Sequence, residues 1–287
     1  MSEPPLLKVS DLSVSYGLGV GAFPALRSAY VEARAGEVVG IVGESGSGKS
    51  TLAMAIAGLL PPAATITGGR IVLEGIDLTH EDTKKRRAHL GQEIAMVFQD
   101  PMTAFNPVLT IGDQLCDFQH RMGVSRRERQ SRAVGMLGRV GIPDPALRYR
   151  LYPHELSGGM RQRAAIAAAL LVNPGLLIAD EPTTALDVTM EAQIIQLFRD
   201  LRRDYGGAIL IVTHHLGVVA ELCDRVYVMY GGEVMEDGDV DQIFHAPVHP
   251  YTQALLRCDP ALLPERVARL PVIERHERSR FVRGAVL

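Results

Sequence analysis

Three short apolar runs punctuate the chain: VVGIV from Val38 to Val42, LLIA from Leu176 to Ala179, and AILIV from Ala208 to Val212. None alternates with polar residues, which is the pattern of strands covered on both faces in a parallel sheet. Each is followed by residues able to do chemistry: a glycine-rich stretch from Gly43, Asp180, and Thr213 with His214. In open α/β sheets ligands gather at these carboxyl ends. From Leu6 to Tyr16 and from Leu26 to Val31 apolar and polar residues tend to alternate, predicting antiparallel strands with one solvated face. A helix is expected from Lys49 to about Leu59, stopped by Pro61 and Pro62.

Between Phe98 and about Leu171 the texture changes to long helical patterns, Ile111 to Met122 and Ser125 to Val140, with few β-branched residues. The basic run Arg126 to Arg132 reads as a solvated helix face. After Pro247, HPYTQALLRC predicts one helix, followed by a loosely held tail. The expected organisation is therefore an α/β core with an antiparallel sheet (1–98 and 172–246), a helical subdomain (99–171), and a C-terminal helix and tail (247–287).

Composition narrows the function. Of 287 residues, 47% are hydrophobic and 22% charged, as in globular proteins, and the net charge of −3 supplies no basic field for nucleic acid. No run of about 18 uninterrupted apolar residues is present, so no membrane span is expected. The start, MSEPPLLKVSDL, lacks the layout of a secretory signal and points to the cytosol. Cys116, Cys223 and Cys258 are scattered, which fits reduced thiols rather than a disulfide or metal site.

GESGSGKST (Gly43, Glu44, Ser45, Gly46, Ser47, Gly48, Lys49, Ser50, Thr51) matches the phosphate-loop pattern GxxxxGK[ST], after a buried strand and at a helix start. Successive backbone N–H groups close around phosphate oxygens there, Lys49 reaches the β and γ phosphates, and the Ser50 hydroxyl reaches Mg2+. In LLIADEP, Asp180 is placed for the Mg2+ shell and Glu181 for polarising the attacking water. An acidic pair alone would read as a cap or surface turn; beside a phosphate loop it reads as catalytic. Gln99, after the apolar strand of MVFQDP, can touch Mg2+ or the water, though a glutamine there is often only a surface residue. His214 can hydrogen-bond a γ phosphate; the alternative is a capping histidine. His215 points elsewhere and makes no metal pair with it. His245 and His249 are separated by Pro247 and read as structural.

A second glycine-rich helix start, LSGGMRQR from Leu156 to Arg163, offers another anion site: Ser157 caps the helix, while Gly158 and Gly159 leave backbone N–H groups uncovered. Followed by LLIADEP and ALD (Ala185 to Asp187), this string resembles the ATP-binding cassette (ABC) family, with Gln99 and His214 in register, over about Leu6 to Leu256. The resemblance implies a P-loop NTPase (RecA-like) core with an antiparallel β subdomain and a helical subdomain carrying the signature. It implies ATP and Mg2+ as cofactors. It also implies a head-to-tail dimer with a second ATPase subunit, the same chain or a related one, in which Ser157, Gly158, Gly159 and Gln162 meet the partner's nucleotide. Asp187 would communicate between the sites, and Tyr16 would stack on adenine, strand packing being its other reading.

One phosphate loop and one signature separate this chain from two-cassette ribosome-acting relatives, and the ordinary helical insert separates it from DNA-repair relatives. FQDPMTAFNPVLTIGDQL, YPHELSGGMRQR and HPYTQALL resemble the oligopeptide, dipeptide and nickel importer branch. That implies two transmembrane permease subunits, an extracytoplasmic substrate-binding protein, and a place on the cytoplasmic face of the inner membrane. Asp100 to Pro107 would meet the membrane subunit. Peptide is the expected cargo, nickel or another small solute the alternative. The family usually has aspartate where this chain has His215, and many relatives carry a cysteine-rich tail that PVIERHERSRFVRGAVL lacks, so no iron–sulfur cluster is expected.

Overall fold

The computed structural model describes residues 4–17, 19–79, 81, 83–100, 104–184, 186–259 and 281. In chain order, β1 (Leu7–Tyr16) and β2 (Phe23–Ala33) lead into β3 (Val38–Val42), α1 (Lys49–Ala57), β4 (Ala64–Leu73), β5 (Ile76–Asp77), α2 (Thr83–His89) and β6 (Ile94–Val97). Then come α3 (Ile111–Phe118), α4 (Arg126–Arg139), α5 (Pro145–Arg148) and α6 (Gly158–Leu170). The rest is β7 (Leu176–Asp180), α7 (Val188–Asp204), β8 (Ala208–Val212), α8 (Leu216–Leu222), β9 (Arg225–Tyr230), β10 (Glu233–Asp239), α9 (Val240–His245) and α10 (Pro250–Arg257).

The three unalternating runs are β3, β7 and β8, and every residue in them is buried. They lie side by side in a six-stranded sheet ordered β10-β9-β3-β8-β7-β6, parallel except for β10. Their side chains divide by the period of two. Val38, Val42, Leu177, Ala179, Ile209 and Ile211 join one core, shared with α4, α6 and α7. Val39, Ile41, Leu176, Ile178, Leu210 and Val212 join another, shared with α1 and the second sheet. An apolar residue is thus needed at every position, which is why alternation is missing from these runs.

The second sheet is antiparallel, ordered β2-β1-β4-β5. Leu7, Val9, Leu12 and Val14 of β1 face inward onto the second core, so the alternation seen in the sequence is a half-buried strand. Two helices deviate from expectation at their ends. The helix α1 stops at Ala57, where Gly58 adopts the left-handed conformation (φ 71°) and caps it, three residues before Pro61. The pattern Ile111 to Met122 divides into α3 and a 3-10 turn, His120–Met122. Ser125 caps α4 by accepting from Glu128 N–H at 3.2 Å. Arg126 to Arg132 is largely exposed, as expected, although Arg129 and Arg132 donate to the carbonyls of Val124 and Leu171.

Of the tail, residues 260–280 and 282–287 lie outside the described residues; Phe281 is buried. No helix among the described residues is long and apolar enough to cross a membrane.

Candidate active site

The loop between β3 and α1 is shaped by near neighbours. A Cβ at Gly43 would sit 2.1 Å from the Met229 carbonyl oxygen, and φ there is 151°, so the strand end admits only glycine. Lys49, the first residue of α1, turns back over the loop and donates from Nζ to the carbonyls of Gly43 at 2.7 Å and Glu44 at 3.0 Å. Burial lowers the pKa of this ammonium, against the opposing pull of the Glu181, Asp180 and Glu44 carboxylates. A buried cation beside backbone N–H groups at a helix start is a strong anion anchor.

Ser50 Oγ donates to Asp180 Oδ1 at 3.2 Å, bringing α1 and the tip of β7 together. Burial pushes the Asp180 carboxyl up, against the Ser50 hydrogen bond and Lys49. Two hard oxygen donors converging beside a phosphate anchor are the donor set that Mg2+ takes alongside a nucleotide, so these residues fit that ion.

Glu181 follows with a left-handed backbone, φ 51°, and its N–H held by Val212 O at 2.7 Å. A non-glycine residue in this region carries strain, which here turns the side chain back across the strand ends. The His214 Nδ1–H donates to Glu181 Oε1 at 2.8 Å, and the Thr184 hydroxyl makes a short bond to Oε2. Burial alone would raise the Glu181 pKa, but the bonds from Thr184 and His214, with the nearby Lys49 ammonium, outweigh it and hold the carboxyl below its ordinary value. It is ionised at neutral pH. His215 lies beside His214, ring centroids 4.3 Å apart, yet its Nδ1 faces Glu191 at 3.7 Å, so the two imidazoles address different carboxylates.

Lys49, Ser50, Asp180, Glu181 and His214 therefore form one cluster. Gln99 is exposed just beyond β6, whose Val97 pairs with Ala179 next to Asp180. Tyr16 is half-buried at the end of β1 with Oη 3.4 Å from Thr51 Oγ1. The second glycine-rich helix start is separate. Ser157 accepts from Met160 N–H at 3.3 Å and is exposed with Gly158, whereas Gly159 lies beneath Met190 of α7. Gln162 is 1% exposed and donates to Pro182 O at 2.8 Å, so its side chain faces the loop after Glu181. Asp187 caps α7, accepting from Met190 N–H at 2.9 Å; Ala185 lies outside the described residues. Thr184 is a partner that sequence reasoning missed, and its only signal is a hydroxyl three residues after the acid. A groove of about 600 Å³, lined by Met96, Phe98, Phe105, Phe118, Ala165 and Ala169, opens between β6, α3 and α6.

A family model described as ABC transporter matches residues 26–184, more than half of the chain. The chain belongs to the ABC transporter family. It is an ATPase of that family, using ATP with Mg2+. A second model, described as the C-terminal region of oligopeptide/dipeptide transporters, matches residues 235–281 of this ABC chain. The dipeptide transport ATP-binding protein DppD of Escherichia coli (strain K12) is 49% identical over 269 residues, 93% of this chain and 82% of that protein. The oligopeptide transport ATP-binding protein OppD of Bacillus subtilis (strain 168) is 48% identical, covering 90% of this chain and 72% of that one. Among solved structures, the dimeric ATP-binding cassette MJ0796, in a post-hydrolysis state bound to ADP and Pi, matches with a TM-score of 0.72 at 30% identity. That match covers 82% of this chain and 98% of the cassette.

Proposed function

We propose that this chain is the ATP-hydrolysing subunit of an importer of di- and oligopeptides. The observation that carries the cargo class is the match of residues 235–281, outside the stretch matched by the ABC transporter model, to the C-terminal region of oligopeptide/dipeptide transporters. In this reading the chain sits peripherally on the cytoplasmic face of the inner membrane. It pairs with a second ATPase subunit and acts on two permease subunits, served indirectly by an extracytoplasmic binding protein. The apolar groove beside Phe105 is the surface for a permease, and Ala104 and Phe105 line it; 101–103 lie outside the described residues.

Bound ATP supplies the phosphoryl group to be transferred, and Mg2+ neutralises charge on it. Lys49 holds phosphate oxygens, and Ser50, Asp180 and Gln99 hold the metal. Glu181, ionised and almost covered, takes a proton from the attacking water at one of its carboxylate oxygens, exchanging one of its present bonds for that water. His214 orients Glu181 and reaches the γ phosphate. The N–H groups at Ser157, Gly158 and Gly159 serve the site of the other subunit, which accounts for two anion sites on one chain, and Asp187 links the two. Gln162, being buried, serves by tying the signature helix to the loop after Glu181.

The test is uptake of labelled peptides and of nickel in cells lacking the chromosomal copy, complemented with the parent or with Glu181→Gln. Uptake of peptides restored by the parent alone is the expected result. Restoration of nickel uptake with no effect on peptides would discard the cargo and keep the ATPase.

A further inference from the structure

The phosphate loop is gripped from outside by the C-terminal region. The N–H of Glu44 donates to Tyr251 Oη at 3.1 Å, across 207 positions of sequence. Glu44 N–H and Gly43 C=O belong to one rigid peptide plane. The other end of that plane accepts from Lys49 Nζ at 2.7 Å. One buried tyrosine thus fixes the orientation of the peptide that seats the phosphate-binding lysine.

Tyr251 is itself held on every side. It is fully buried, and its ring packs against Tyr230 and Phe281 with centroids 4.6 and 5.3 Å away. Tyr230 follows Met229, the residue whose carbonyl crowds Gly43. Pro250 opens α10, His249 Nδ1 accepts from Tyr251 N–H at 3.1 Å, and the Glu236 carboxylate accepts from Val248 and His249 N–H at 2.7 and 3.0 Å. Such a rigid mount holds a hydroxyl at one point.

We propose that Tyr251 is a positioning residue for ATP binding: its hydroxyl sets the Gly43–Glu44 peptide and, through it, the ammonium of Lys49. The C-terminal region thereby tunes nucleotide affinity. The inference rests on the reading of Gly43 to Thr51 as the phosphate loop.

The experiment measures ATP affinity and turnover of the full chain with Tyr251→Phe, Tyr251→Leu and Lys49→Ala, alongside thermal melting. Phenylalanine keeps the ring and removes the hydroxyl that accepts from Glu44 N–H. The expected result is that Tyr251→Phe raises Kd and KM for ATP about three- to tenfold with a smaller change in kcat, the size of one lost hydrogen bond. Tyr251→Leu is expected to add a lower melting temperature to the same loss. A Tyr251→Phe chain with parental affinity overturns the inference, whatever leucine does. If Lys49→Ala also binds ATP like the parent, the phosphate-loop reading itself falls; if only Tyr251→Phe does, this inference alone falls. A reading that needs no variant is amide exchange in the parent: slow exchange at Glu44 supports the bond, and exchange as fast as at exposed Ser45 contradicts it.

Discussion

His214 donates a 2.8 Å hydrogen bond to Glu181, joining the end of β8 to the end of β7. The bond gives each residue a separable loss. Glu181→Gln removes the base and should lower ATP turnover by about 10²–10⁴ while leaving ATP binding within a few-fold. His214→Ala leaves the carboxylate with Thr184 only, and should lower kcat strongly, with a smaller effect on Kd. Rapid-quench turnover and equilibrium binding on both variants check the assignment; parental turnover in Glu181→Gln would refute it.

Lys49→Ala acts earlier, on binding. Charge-assisted hydrogen bonds to phosphate contribute about 1.5–3 kcal/mol, and 1.4 kcal/mol is a factor of ten. ATP affinity should therefore fall by roughly ten- to a hundredfold, measurable by calorimetry on the isolated chain.

Gly159 and Met190 make a packing test. A Cβ at Gly159 would lie 1.7 Å from Met190 Cε. Met190 Cε is the free end of a flexible, half-buried side chain, so it can swing aside and relieve the clash cheaply. Gly159→Ala should therefore change stability by less than about 1 kcal/mol, and adding Met190→Ala should bring no further rescue. Chemical denaturation of the parent and the two variants tests this.

Protonation should loosen the C-terminal helix. Burial lowers the pKa of His249 below its ordinary 6.5, against the pull of Glu236, and its Nδ1 must stay unprotonated to accept from Tyr251 N–H. A histidine with a lowered folded pKa is protonated more readily in the unfolded chain. Its stabilising contribution is whole above the unfolded value and declines as pH falls from there through the folded value. His249→Asn keeps a capping acceptor without the titration, so its melting temperature should fall less between pH 7.5 and 5.5 than the parent's.

The strands that carry the site were readable because burial on both faces leaves an unmistakable unbroken apolar run, and the phosphate loop because its glycines and Lys49 are adjacent in sequence. The order of the strands, with β3 between β8 and β9, left no local mark. Nor did Tyr251 against Glu44, or Met190 over Gly159: these meetings depend on tertiary packing between distant segments. The inward orientation of Gln162 was equally hidden, since a polar residue in a signature-like string reads as exposed until its acceptor, Pro182 O, is known. The end of α1 at Gly58 rather than at Pro61 turned on a left-handed glycine, a signal present in the sequence but weaker to the eye than two prolines.

Peptide import is decided by ATP hydrolysis of the complete transporter in liposomes, with the binding protein empty or loaded with peptide. Loaded binding protein is expected to stimulate hydrolysis, and Glu181→Gln to abolish it. Equal rates with empty and peptide-loaded protein, in a complex that hydrolyses ATP, would contradict peptide import as the function of this chain.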